Sequence, residues 1–288
     1  MNHSELLKLE EAISRKASSK HISINQDRRF IDHYLPTKCE LEKTLKAYYN
    51  LKGHWPLAPI IHIDYQRYHL KMRNCGLPIR LHPINTVLTA QEIIQKKDFI
   101  ISDCDVFDND LVLYELNLFY EWFLSKLLGY QTQYLYESFR TLFQNFFSHA
   151  PKVIVHRDFH SENILMTPEG RIFLVDYQDA VLGPYNYDYV SLVNDAYQDT
   201  QVVQNLSFYY FSEWAKNFSH NVEQDFVIVS LQRLMKVIGI FSRLSLRDGK
   251  VRYQQYIPRL LKLLIRFSFE NKQRNFFKTC YVRYTSRM

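Results

Sequence analysis

At 288 residues, with 47% hydrophobic and 23% charged residues, the chain is long enough for one large domain or the two lobes of one enzyme. Its net charge of +6 is too dispersed to suggest a nucleic-acid partner and leaves room for an anionic small molecule. Four scattered cysteines (Cys39, Cys75, Cys104, Cys280) form no C-x-x-C pair, no apolar run approaches membrane-spanning length, and the first residues lack an apolar secretory core, so neither zinc, disulfides, membrane nor export is expected, and a cytoplasmic setting is.

In chain order, residues 4–15 read as a polar helix. His21 to Ile24 and Arg29 to Tyr34 alternate like two strands around the turn Asn25-Gln26-Asp27-Arg28. Pro36 ends the second strand, and Glu40 to Lys52 follows as a helix with Leu41, Leu45, Tyr48 and Tyr49 on one face, closed by Gly53. Ile60 to Asp64 and Tyr68 to Met72 form a second predicted hairpin. Residues 77–110 read as loop and short helix, with an acidic stretch at Asp103, Asp105, Asp108 and Asp110 that suits a solvated connector. Leu111 to Leu128 and Leu135 to Phe147 are two predicted helices with apolar residues at helical spacing. Beyond Asp188 the chain reads almost wholly helical: Tyr189 to Tyr197, Gln201 to Phe218, Glu223 to Phe241 and Pro258 to Arg266, then a basic tail.

Between those halves lies the stretch that carries chemistry. Val153 to Val155 is a short apolar strand, followed by His156-Arg157-Asp158 and, five residues after Asp158, by Asn163. Ile164 to Met166 and Arg171 to Val175 are two strands joined by the turn Thr167-Pro168-Glu169-Gly170, and Asp176 stands at the exit of the second. The hairpin brings Asn163 and Asp176 to the same end of the strand pair. Phosphoryl transfer needs such a set: one carboxylate, Asp158, to orient the attacking hydroxyl as catalytic base, and an amide and a carboxylate, Asn163 and Asp176, to hold Mg²⁺ against ATP phosphates. His156 and His160 stand at the spacing of a helical metal pair, but in a loop, where that spacing does not converge two rings, and His156 is expected to pack beneath the loop.

At these residues the chain resembles the aminoglycoside phosphotransferase/choline kinase family. Asp176 to Asp195 (D-Y-Q-D-A-V-L-G-P-Y-N-Y-D-Y-V-S-L-V-N-D), Glu115 to Leu124 and Gln232 to Lys250 resemble its branch of anomeric N-acetylmuramate/N-acetylglucosamine kinases of bacterial cell-wall recycling. The resemblance touches most of residues 18–262 and is densest over 153–195 and 224–262. It implies an α+β, two-lobed protein-kinase-like fold, with a small β-rich lobe at 1–76 on the nucleotide side and a largely helical lobe at 77–288. It implies ATP and Mg²⁺ as cofactors and a small amino sugar as acceptor, with no nucleic acid or membrane partner. Leu70 to Gly76 then falls at the hinge, where Met72, Asn74 and Cys75 would meet the nucleotide. Glu115, Gln178, Asp179 and Arg243 would meet the acceptor, with Glu121 and Trp122 as further contacts; for Gln178 and Asp179 a loop-fixing role, and for Trp122 and Phe119 a core position, is the competing reading. Asp188 would anchor the catalytic loop.

The chain departs from the wider family in lacking a Gly-rich phosphate loop, since its first glycine is Gly53, and a lysine in the strand Arg29 to Tyr34. The resembling branch also lacks that lysine. Arg73-Asn74 stands where the branch carries an acidic pair. An aminoglycoside- or choline-type kinase and a catalytically degenerate binding module are the alternatives these features leave open.

Overall fold

The computed structural model describes residues 21–24, 29–78, 104–130, 133–197 and 211–287. The helix expected at 4–15, the turn at 25–28, most of the connector before residue 104 and the start of the helix expected from Gln201 lie outside them. Packing divides the chain into two compact units, residues 1–104 with 156–181 and residues 105–155 with 182–288. The lobe boundary expected at residue 76 is a different division: here the catalytic segment groups with the N-terminal residues.

In the first unit, β1 (His21–Ile24), β2 (Phe30–Tyr34), β3 (Ile60–Asp64) and β4 (His69–Arg73) form an antiparallel sheet in the order β1-β2-β4-β3. Helix α1 (Lys38–Leu51) crosses over between β2 and β3, and the Thr37 hydroxyl caps it by accepting from the Glu40 backbone N–H. Its Leu41 and Leu45 pack with Leu35, Leu70, Met72 and Cys75, so alternate residues of β4 face the helix. A second sheet, β5-β7-β8, joins β5 (Leu77–Pro78) to the hairpin of β7 (Ile164–Met166) and β8 (Ile172–Leu174). Gly76 makes that pairing possible: its φ is +99°, and a Cβ there would overlap the Met166 carbonyl. Leu174 N–H donates to Pro56 O and Ala58 N–H donates to Leu174 O, which binds β8 to the loop ahead of β3.

The second unit is mostly helical. Helix α2 (Asn109–Leu118) is capped by Asp108, which accepts from Leu111 N–H, so part of the acidic connector has a defined structural role. The single helix expected over 111–128 changes at Phe119 into a π-helix that runs to Leu128. The change occurs where Gly239 lies against the Leu118–Phe119 backbone so closely that a Cβ would overlap it. Helix α3 (Gln133–His149) leads into β6 (Lys152–Val155), which pairs with β9 (Val181–Pro184). Then come α4 (Tyr187–Val193), the 25-residue α5 (Val222–Leu246), a 3-10 turn (Val251–Tyr256) and α6 (Ile257–Phe267). The basic tail, not expected to be regular, forms α7 (Asn271–Thr285), held where Arg287 donates to Leu127 O and Arg283 lies over the Tyr130 ring. Among the described residues no helix is long and apolar enough to cross a membrane.

Candidate active site

The loop between β6 and β7 is bent by Arg157, whose φ of +69° is in the left-handed region that few side chains adopt without compensation. Beneath it His156 is fully buried, its ring stacked on Trp55 and edge-on to Phe159, with Nε2 3.0 Å from the Val175 carbonyl. His156 is thus the floor of the loop, as expected, and its contact to Val175 reaches the residue before Asp176. His160 Nε2 faces the Asn163 amide at 3.4 Å. The two histidines do different work and do not form a pair.

Asp158 is half-buried at the crown of this loop. Asn163 is nearly fully buried, and its Nδ2 donates to the Asp158 backbone carbonyl at 2.8 Å. The amide nitrogen therefore braces the segment that carries Asp158, and Oδ1 is the group with lone pairs to offer a cation. Across the hairpin Val175 N–H donates to Asn163 O at 3.1 Å, so Asn163 and Asp176 emerge from the same end of the β7–β8 pair. Asp176 has a φ of +65°, a second left-handed residue at the centre of the motif. Gln178 Nε2 donates to Asp176 Oδ1 at 3.1 Å and fixes the carboxylate. The donor set, one amide oxygen and one carboxylate, is hard and oxygen-only, which fits Mg²⁺ completed by phosphates and water. Among the described residues no three His, Cys, Asp or Glu side chains converge on a common point, so nothing there resembles an all-protein metal cage.

Asp179 lies three residues beyond Asp176 and accepts from Lys43 of α1 at 2.5 Å. Its backbone carbonyl accepts from Arg157 Nη1 at 3.4 Å. Tyr177 is buried, its ring 6.1 Å from Tyr48 of α1, and burial first, then Tyr48 and Asp176, pushes its phenol far above the usual tyrosine range. Sequence reasoning missed Lys43; the one signal for it was a lysine on the solvent side of α1 in a chain short of a strand lysine.

At the end of β4, Met72 and Cys75 turn their side chains into the core, and desolvation pushes the Cys75 thiol up to about 11. Arg73 N–H donates to Pro59 O and Asn74 N–H to Arg29 O, while Asn74 Oδ1 accepts from Gly76 N–H. Met72 and Cys75 can thus meet a base only through their backbone, and Asn74 shapes the turn into β5.

Among the residues of the second unit, Glu115 is buried at 1% exposure, with Lys236 Nζ 2.9 Å from one oxygen and Gln232 Nε2 donating to the other at 2.7 Å. Tyr187 joins the same cluster, its hydroxyl 3.5 Å from Glu115 and 3.4 Å from Lys236. That is an internal ion pair inside a helical core. Arg243 is half-buried and donates to Tyr114 Oη at 3.4 Å. Phe119 is a core residue, Trp122 is half-buried beneath the Lys126 ammonium, and Glu121 pairs with that lysine at the surface. Asp188 is fully buried within α4.

Residues 108–216 match the model of the phosphotransferase enzyme family. A curated relative from Neisseria meningitidis serogroup B, an N-acetylmuramate/N-acetylglucosamine kinase, is 39% identical over 56% of this chain and 52% of its own length. One of the same name from Pseudomonas putida is 31% identical over 70% of this chain and 66% of its own. The matches thus span between half and two thirds of these relatives. Among solved structures, a choline/ethanolamine kinase family protein from Mesorhizobium loti superposes with a TM-score of 0.61 at 11% identity, over 92% of this chain and 90% of the other, a likeness of fold alone. Over residues 108–216 the chain is thus similar to the phosphotransferase enzyme family, and it has the protein-kinase-like α+β fold of its structural neighbours.

Proposed function

We propose that the protein is an ATP-dependent kinase of an amino sugar, transferring the γ-phosphoryl group to the anomeric hydroxyl of N-acetylmuramate or N-acetylglucosamine in peptidoglycan recycling, in the cytoplasm. The observation that carries the phosphotransfer half is the hairpin that sets Asn163 and Asp176 side by side while the Asn163 amide braces Asp158. The names of the curated relatives support the sugar half. Asp158 orients the hydroxyl and accepts its proton as the oxygen–phosphorus bond forms and the bond to the departing ADP oxygen breaks. A loose transition state asks little of the base early, and an anomeric hydroxyl is more acidic than an ordinary alcohol, so a carboxylate suffices. Mg²⁺, held by Asn163 Oδ1 and Asp176, would neutralise charge on the phosphates. Gln178 keeps the Asp176 carboxylate in place, the hinge at Met72, Asn74 and Cys75 meets the base, and Arg243 supplies a cation to the acceptor.

The test is ADP release from Mg-ATP with N-acetylmuramate, N-acetylglucosamine, glucose, choline and an aminoglycoside, the phosphorylated position being read by phosphorus NMR. The reading expects turnover with the two N-acetyl sugars and a C1 phosphate. Turnover with choline or the aminoglycoside alone would move the protein to another branch of the family. No turnover with any of the five, in protein that binds Mg-ATP, would make it a binding module.

A further inference from the structure

The four strands β1 to β4 contain one lysine, Lys71, whose ammonium lies over the Phe30 ring on the face opposite Leu70 and Met72. No strand lysine therefore turns towards α1, where a cation for nucleotide phosphates would be needed. Lys43 comes from α1 itself, and its Nζ reaches 2.5 Å from Asp179 Oδ1, in the turn that follows Asp176. The turn is closed, with Ala180 N–H donating to Tyr177 O, and Gln178 ties it to the Asp176 carboxylate. Asp179 is thereby fixed, and so is the ammonium that it holds.

We propose that Lys43 is the phosphate-binding lysine of this enzyme, supplied from helix α1 to the β- and γ-phosphates of the nucleotide in place of a strand lysine. The proposal rests on the phosphotransfer reading above. An ammonium has three donors, and Asp179 engages one. The pair is half open to water, with side-chain exposures of 47% and 41%, so it adds little to stability, and the lysine is accessible to a ligand. The same exposure means that replacing Lys43 leaves the fold intact. The charge balance also fits. Asp176 and Asp179 stand close in sequence at one end of the hairpin, and a nucleotide triphosphate brings several more negative charges there. A cation beside the metal site offsets part of that charge, whereas a distant surface lysine would be screened.

The test compares Mg-ATP and AMP binding to the full chain by calorimetry, in wild type, Lys43→Met, Lys43→Arg and Asp179→Asn, with thermal melts as a check on folding. AMP lacks the phosphates that Lys43 would meet. Lys43→Met should weaken ATP roughly tenfold or more, the loss of a hydrogen bond to a charged group, and leave AMP unchanged. Lys43→Arg should recover part of the ATP affinity, because the charge is kept. Asp179→Asn keeps the ammonium, so its ratio of ATP to AMP affinity should stay nearer to wild type than that of Lys43→Met. Equal loss of ATP and AMP in Lys43→Met, or no loss of either, would overturn the assignment while leaving the kinase reading in place. If Asp179→Asn reproduced the loss in Lys43→Met, the lysine would be a tie between α1 and the turn, and direct phosphate contact would be wrong. Wild-type protein that binds neither nucleotide would overturn the kinase reading itself, and this assignment with it.

Discussion

Asn163 does two things with one amide. Its nitrogen holds the Asp158 carbonyl and its oxygen is the lone-pair donor available to a cation. Substitutions can separate the two. Asn163→Asp keeps an oxygen ligand and adds charge but has no N–H, so nucleotide binding in the presence of Mg²⁺ should persist while kcat falls. Asn163→Ala loses both, and kcat/KM should fall at least about 10–100-fold, a scale seen when the support of a metal site is removed. Asp176→Ala removes the only charged member of the donor set, and turnover should fall by on the order of a thousandfold or more, with the fold retained by circular dichroism. Full activity in Asp176→Ala would end its role. Cys75 gives a test of folding in place of chemistry. Burial holds its thiol at about 11 against an ordinary value of 9.0, so folding favours the protonated form. The stabilisation is complete below pH 9.0 and is lost as pH rises through about 11, and the denaturant midpoint should decline over that window. Because other groups also titrate there, the check is that Cys75→Ala declines less steeply than wild type.

Elements are where the sequence was most and least informative. The β7–β8 hairpin was legible because Thr167-Pro168-Glu169-Gly170 is strong turn chemistry between two apolar runs. Helices α1, α3, α5 and α6 were legible from apolar spacing, with ends displaced by a few residues. The strands β5 and β9 were not: Leu77–Pro78 is too short to show a period, and Val181–Pro184 contains the Gly-Pro that ordinarily argues against a strand. Helix α7 was hidden by its charge, although Gln273, Phe277, Cys280 and Tyr284 recur at helical spacing and are its buried residues. Contacts far apart in sequence left no local trace. Glu115, expected to meet the acceptor, is instead enclosed by Gln232 and Lys236, one helical turn apart on α5. Gly76 is the element-scale test. It holds the turn between β4 and β5 at positive φ and lies against the Met166 carbonyl, so an alanine is strained and also crowded. Gly76→Ala should destabilise the protein by about 1–3 kcal/mol or more and displace β5 from β7, read as a lowered urea midpoint. Gly170→Ala is the control: its φ is also positive, but nothing lies within 4 Å of the added methyl, so it should cost less.

At the scale of the molecule, the sequence held the motif for phosphate transfer in one place and the grounds for an acceptor in three separate blocks. The first unit is discontinuous, since residues 156–181 return to residues 1–104, and β5 cannot complete its sheet without β7. A fragment ending before residue 156 should therefore lack nucleotide binding even if its four-stranded sheet forms. Acceptor choice is the property that the whole chain must express. Within the second unit Glu115 is engaged by Lys236, and the proposal for the acceptor there rests on Arg243. A site built around N-acetyl and anomeric groups leaves buried partners unsatisfied when they are missing, and such omissions cost more than a lost methylene does. Glucose should therefore be a much poorer substrate than N-acetylglucosamine, by about a hundredfold or more in kcat/KM. Arg243→Met should lower kcat/KM for N-acetylmuramate, which carries a carboxylate, more than for N-acetylglucosamine, which does not; an equal loss for both would assign the guanidinium to Tyr114 and the fold. The anomeric oxygen admits the sharpest test. If it is the nucleophile, a 1-deoxy or 1-O-methyl amino sugar has no hydroxyl for Asp158 to orient, so it should bind as a competitive inhibitor and release no ADP above the ATPase background. Phosphorylation of either analogue at the rate of the free sugar would place transfer on another hydroxyl and end the proposal of C1 as the acceptor position.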